Sequence, residues 1–223
     1  MKPILIVMTS HSQKGDTGQP TGYFLSEVTH PLAVFDREGL PVAFASIKGG
    51  EPPVDGFDLE DATNARYWND PDFRARIAGS LKLADVNPAD YSAIFFAGGH
   101  GAVWDFPVSA AVNEKSRAIW EQGGVVGAVC HGPAALTNVT LADGKPLVAG
   151  RKVAAFTDAE EVAVGLQDVV PFLLSSRLAE LGAQMQPGPD WTETVAVDGR
   201  LVTGQNPQSA SAVGEEIAKL LKA

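Results

Sequence analysis

Short apolar runs recur along the chain, with polar, helix-patterned stretches between them. Residues 4–7, 42–47, 93–97, 125–129 and 153–156 have the length and composition of strands. None alternates apolar with polar, as expected of strands covered on both faces. Helical periodicity predicts helices over 31–38, 109–122, 131–138, 169–181 and 209–221. The alternation predicts an α/β fold built on a doubly wound, mostly parallel sheet. Residues 194–197 and 201–203 flank Asp198-Gly199 and read as a C-terminal hairpin. Residues 49–91 break the rhythm: prolines and glycines come first, then polar helical sequence around Phe73 to Leu83. That stretch is too long for an ordinary connection, so it is expected to be a helical insertion, either a lid or an embellishment of the sheet edge. The whole of 1–223 reads as one domain.

Composition narrows the function. With 45% hydrophobic residues the chain can bury a sizeable core. Its net charge of −10, from 17 basic and 27 acidic residues, argues against a nucleic-acid surface. The apolar run at the N-terminus is too short for a signal-peptide core or a membrane span, so the expected location is the cytoplasm. The single cysteine can form no internal disulfide. The four histidines show no i, i+4 pair, so no metal signature is read and none is expected. No glycine fingerprint opens a helix after the first strand, so no cofactor is expected.

In an open α/β sheet the site lies beyond the carboxyl ends of the strands, and the unusual residues collect there. Ser10-His11, Gly98-Gly99-His100-Gly101, Cys130-His131-Gly132-Pro133 and Thr157-Asp158 each follow an apolar run. Residues 125–136 read as strand, sharp turn and helix, the plan of a nucleophile elbow with Cys130 at its tip. Ala128 and Gly132 are small enough for such a turn. The helix expected after it points amides at the sulfur and predicts a lowered thiol pKa. A buried cysteine on a core strand is the plainer alternative, but Cys130 follows the last apolar residue instead of standing among them. His131 is a candidate base beside the thiol; alone, it would read as a solvent-facing residue at a helix start. The glycine-rich loop lets backbone amides approach a ligand, and the Gly99 and His131 amides are candidates for an oxyanion hole.

These segments together resemble the ThiJ/PfpI superfamily, with its flavodoxin-like, class I glutamine amidotransferase-like fold, over nearly the whole chain. The resemblance rests on residues 128–133 (A-V-C-H-G-P), 96–105 (F-A-G-G-H-G-A-V-W-D), 21–31 and 201–207 (L-V-T-G-Q-N-P). The last two are similar to a heat-inducible branch of glutathione-independent glyoxalases, also called D-lactate dehydratases, some of which act as holding chaperones. The resemblance implies that Glu27 is the acid beside the nucleophile; from the residues alone it reads as a carboxylate compensating a helix dipole. It also implies an acid that orients His131, in the segment 155–162. Apolar register favours Glu161, with Asp158 and Glu160 left open. His100, Tyr23 and Trp104, with Trp68, are candidates for the pocket wall, and the aromatics read equally well as core.

The expected reaction converts methylglyoxal or a related 2-oxoaldehyde to a 2-hydroxy acid through a hemithioacetal on Cys130. Alternatives are a cysteine amidase or peptidase, or a holding chaperone or redox sensor with an oxidisable thiol. No H-x-E pattern of the glutaminase kind follows the elbow. The implied partners are the small substrate, a second copy in a homodimer, and unfolded client proteins.

Overall fold

The computed structural model describes residues 1–223. Its centre is a seven-stranded sheet in the spatial order Val195–Asp198, Leu201–Gly204, Val125–Val129, Ala93–Phe96, Ile4–Met8, Val42–Ser46, Leu81–Lys82. All neighbours pair in parallel except the first two, which form the antiparallel hairpin. The sheet is flanked by helices, as an α/β fold with covered strands requires. Ile4–Met8, Ala93–Phe96 and Val125–Val129 are buried at every position, which explains why their sequences do not alternate. No helix is long and apolar enough to cross a membrane.

Several elements depart from expectation. The first helix starts at Leu25, not near Pro31, and runs to Arg37 with the proline inside it. Leu25, Val28, Leu32 and Phe35 form a buried stripe at helical spacing. That packing outweighs the hydrogen bond lost at Pro31. The helix lies against Ala210–Lys222, where Gly214 admits Pro31: an added Cβ would sit 3.0 Å from the Pro31 Cα. The strand expected over 153–156 shrinks to Lys152–Val153 and pairs with Gln184–Met185 outside the main sheet. Two of its remaining amides are satisfied elsewhere, Ala154 by the Thr203 hydroxyl and Phe156 by the Cys130 carbonyl. The helix expected over 169–181 covers only Leu174–Glu180, after Pro171. The hairpin turn is Gly199-Arg200, one residue later than expected, because Asp198 pairs with Leu201.

Residues 49–91 reach both the sheet edge and the site. Their start pairs Val54–Asp55 with Tyr23–Phe24, and the helices Ala62–Trp68 and Pro71–Ala78 follow, capped by Asp61 and Asp70. Leu81–Lys82 then joins the main sheet as its edge strand beside Val42–Ser46.

After Val125–Val129 the chain turns sharply through Cys130, at φ 60°, into a 3-10 helix over Gly132–Asn138. The turn is tight against the neighbouring strand: a Cβ on Gly132 would stand 2.2 Å from the Phe96 carbonyl oxygen. Backbone cannot swing aside as a flexible side chain can. Gly132→Ala is therefore expected to destabilise the fold by more than about 2 kcal/mol, measured by denaturant unfolding; a near-zero effect would mean that the elbow is loosely packed.

Candidate active site

Cys130 occupies a left-handed conformation that non-glycine residues adopt rarely and at a cost. The cost is borne because the strand before it and the helix after it are both buried. The conformation exposes Sγ to a cavity of about 600 Å³ whose wall also includes Gly99, His100 and His131. Cys130 itself is only 3% exposed.

His131 is held on its far side. Its Nε2 lies 2.7 Å from Glu161 Oε2, and His100 Nε2 lies 2.8 Å from Glu161 Oε1. Burial alone would raise the Glu161 pKa, but the hydrogen bonds from the two histidines outweigh it and hold the group at about 2. An ionised carboxylate only accepts, so both Nε2 atoms carry protons. For neutral His131 this fixes the tautomer, and the bare Nδ1 faces Cys130 Sγ at 3.4 Å. Burial, reinforced by the nearby His100, pushes His131 down to about 4, so the ring is neutral at pH 7. The ring presents its lone pair to the thiol and its proton to the acid.

Glu27 approaches the thiol from the first turn of the Leu25–Arg37 helix. Its Oε2 accepts the Gly98 amide at 2.7 Å; its Oε1 is buried without a hydrogen bond, with the thiol beside it. Gly98 has no room for a side chain, since a Cβ would lie 2.5 Å from Glu27 Oε2 and 2.7 Å from the His131 amide nitrogen. Burial raises Glu27 from 4.5 to about 8, against the opposing influence of the neighbouring Cys130 thiol and the Gly98 hydrogen bond. That is about 5 kcal/mol against the charged form, more than the 0.3–1 kcal/mol or so that a helix start usually contributes in its favour. Glu27 therefore carries a proton at neutral pH.

The lowered thiol pKa expected from the helix start is not what the geometry gives. The helix is a seven-residue 3-10 segment, and burial, reinforced by the Glu27 charge, pushes Cys130 up despite a hydrogen bond from the His131 amide.

Of the three acids offered by residues 155–162, Glu161 is the one that meets His131. Glu160 closes a capping box with Thr157 and accepts hydrogen bonds from the Trp191 amide, Gln205 and Asn206. Asp158 holds Ser175 and Ser176. Three pocket candidates lie elsewhere. Tyr23 is 1% exposed in the core, while its neighbour Phe24 faces the cavity. Trp104 stacks on His11 at 5.1 Å beside Gly15 and Asp168, which also takes His11 away from the site. Trp68 packs on Phe57, outside the wall. Wall residues missed in the sequence include Phe24, Ser26, His30, Asp61, Phe156 and Trp191, none of which carries a spacing signal.

His100, His131 and Glu161 are also the set that could hold a cation, with ligand atoms within 4.8 Å of one another. Both Nε2 protons are already directed at the carboxylate, which accounts for this closeness without an ion.

A model of the DJ-1/PfpI family matches residues 21–220. The glutathione-independent glyoxalase HSP31 of Saccharomyces cerevisiae is 32% identical over 99% of this chain and 98% of its own. Among solved structures, glyoxalase III of Candida albicans superposes with a TM-score of 0.91 at 31% identity, covering 98% of this chain and 97% of that one. The Rapid Encystment Protein 24 kDa of Francisella tularensis superposes with a TM-score of 0.96 at 40% identity, with 99% of each chain covered.

The Glu27 pKa has a measurable consequence for stability. Between 4.5, its unperturbed value, and about 8 the folded protein binds a proton that the unfolded chain does not, so stability falls as pH rises through that window. Glutamine carries no such penalty. Glu27→Gln is expected to be more stable than wild type at pH 9, by up to about 5 kcal/mol, with the gain shrinking towards pH 5. Denaturant unfolding at the two pH values checks this; a gain independent of pH would contradict it.

Proposed function

The chain belongs to the DJ-1/PfpI family, and from that premise we propose that it is a glutathione-independent glyoxalase, converting methylglyoxal and related 2-oxoaldehydes to 2-hydroxy acids with Cys130 as nucleophile. One observation carries the reading: a single thiol has a neutral, oriented imidazole on one side and a carboxyl with a pKa of about 8 on the other. Acyl transfer needs the first; moving a proton between two carbons needs the second as well.

The steps follow from these positions. Cys130 Sγ bonds to the aldehyde carbon, its own proton passes to His131 Nδ1, and the Glu27 proton passes to the aldehyde oxygen. The product is a hemithioacetal, and Glu27 is now a carboxylate. It is a stronger base than an ordinary carboxylate and removes the proton on the former aldehyde carbon. The electron pair moves to the ketone oxygen, which takes the proton held by His131, giving an enediol. Glu27 returns the proton to the neighbouring carbon, the first hydroxyl loses its own to His131, and a thioester of the 2-hydroxy acid stands on Cys130. Water gives one proton to Glu27 and cleaves the thioester, and the departing sulfur takes the proton from His131, releasing acid and thiol. The Gly99 and His131 amides, both on the cavity wall, stabilise the oxyanions formed on addition and hydrolysis. Glu161 stabilises the imidazolium whenever His131 takes a proton, and His100 fixes the other oxygen of that acid. No external thiol is required because the protein provides one.

The test pairs product with intermediate. With methylglyoxal and no glutathione, wild type should form lactate, and Cys130→Ala should form neither lactate nor adduct while remaining folded. Glu27→Gln should lose at least about 10²-fold in turnover while accumulating a hemithioacetal mass on Cys130. Near-normal lactate from Glu27→Gln would remove Glu27 as proton carrier and leave an amidase or peptidase as the better reading. No adduct or lactate with any protein would overturn the glyoxalase.

A further inference from the structure

The cavity is larger than a three-carbon aldehyde needs. About 600 Å³ lies within the range of roughly 300–1,000 Å³ that encloses drug-sized ligands. The Cys130, His131 and Gly99 corner accounts for the reacting carbons and leaves the remainder of the wall without a role.

That remainder combines two chemistries. Phe57 and Trp191 present aromatic surface, 51% and 41% exposed. Trp191 is held there against its own backbone preference, at φ 57°. Its amide donates to the fully buried Glu160 at 2.9 Å, and its ring meets Phe156 edge-on at 5.7 Å. A left-handed tryptophan persists only where its surroundings impose it, and here they place an indole at the mouth of the cavity. Ser26, His30 and Asp61 supply hydrogen-bonding groups to the same wall. His30 commits Nε2 to Asp61 at 3.1 Å, which leaves Nδ1 for a ligand. No Lys or Arg lines the cavity, while Asp58 and Asp61 do. A phosphate or carboxylate tail would therefore meet repulsion without a partner.

Aromatic surface beside hydroxyl-binding groups, with no cation, fits a neutral polyol chain: its C–H faces lie on the rings and its hydroxyls exchange hydrogen bonds with the polar groups. We propose that this distal wall is a subsite for the tail of neutral, polyhydroxylated 2-oxoaldehydes longer than three carbons, the class formed when sugars lose water, and that these are the substrates the site favours. The inference rests on the glyoxalase reading and narrows its substrate class. The tail makes and breaks no bonds: one water is added overall, the aldehyde carbon is oxidised to the acid, and the ketone carbon is reduced to the alcohol.

The experiment compares kcat/KM for 3-deoxyglucosone, a neutral six-carbon member of the class, with that for methylglyoxal. Wild type, Ser26→Ala and Trp191→Ala are assayed, each after circular dichroism shows a folded protein. Wild type is expected to process the six-carbon compound at least as efficiently as methylglyoxal. In each variant the six-carbon to three-carbon ratio is expected to fall by about tenfold or more, on the scale of a lost hydrogen bond or ring contact. Good methylglyoxal turnover with a six-carbon rate a hundredfold lower, or a ratio unchanged in both variants, would overturn the subsite and leave the glyoxalase standing. No turnover of either compound by wild type would overturn both.

Discussion

A carboxyl group removed from water beside a thiol, with one oxygen on the Gly98 amide and the other unpartnered, sets the terms for the rest of this molecule. Ionising Glu27 there costs about 5 kcal/mol, a large share of the 5–15 kcal/mol or so by which domains are usually stable. The structure accepts that liability and surrounds it with rigid elements. The Leu25–Arg37 helix delivers the acid, the Ala93–Phe96 strand delivers Gly98, and the strained elbow after Val125–Val129 delivers the thiol. The middle of the sheet places the strand ends side by side, so groups distant in sequence meet at one edge.

A second layer works through Glu160 and Glu161, adjacent residues with different tasks. Glu161 joins His100 and His131, setting the proton positions on both rings. Glu160 ties the start of its helix to Trp191, Gln205 and Asn206. That gives the L-V-T-G-Q-N-P segment a physical purpose: Gln205 and Asn206 are fully buried and anchor the acid that positions the cavity mouth. One short helix thus links the orientation of the His131 ring to the shape of the cavity.

Much of this was legible in the sequence, and the gaps have identifiable causes. The strand-and-helix alternation gave the sheet, and the position of Cys130 just past an apolar run marked the elbow. Tyr23 and Phe24 show the limit of motif proximity: on a strand, neighbours face opposite ways, so a one-residue parity put Phe24 at the cavity and Tyr23 in the core. Trp104 lies within a motif loop yet turns towards His11. The Thr157–Glu160 capping box is a signature readable from spacing and would have set Glu160 aside. Helix polarity alone predicts a lowered thiol pKa, and burial, the larger effect here, reverses it. His30, Asp61 and Trp191 reach the cavity only through tertiary packing, and no local pattern announces that.

The most direct measurement of the central claim is the protonation state of Glu27. An infrared difference spectrum of wild type minus Glu27→Gln isolates the C=O stretch of a protonated carboxyl at that position. The account predicts that the band is present at pH 6.5 and disappears as pH rises through about 8. A band already lost by pH 5.5 would show an ordinary carboxylate beside Cys130 and would contradict the account.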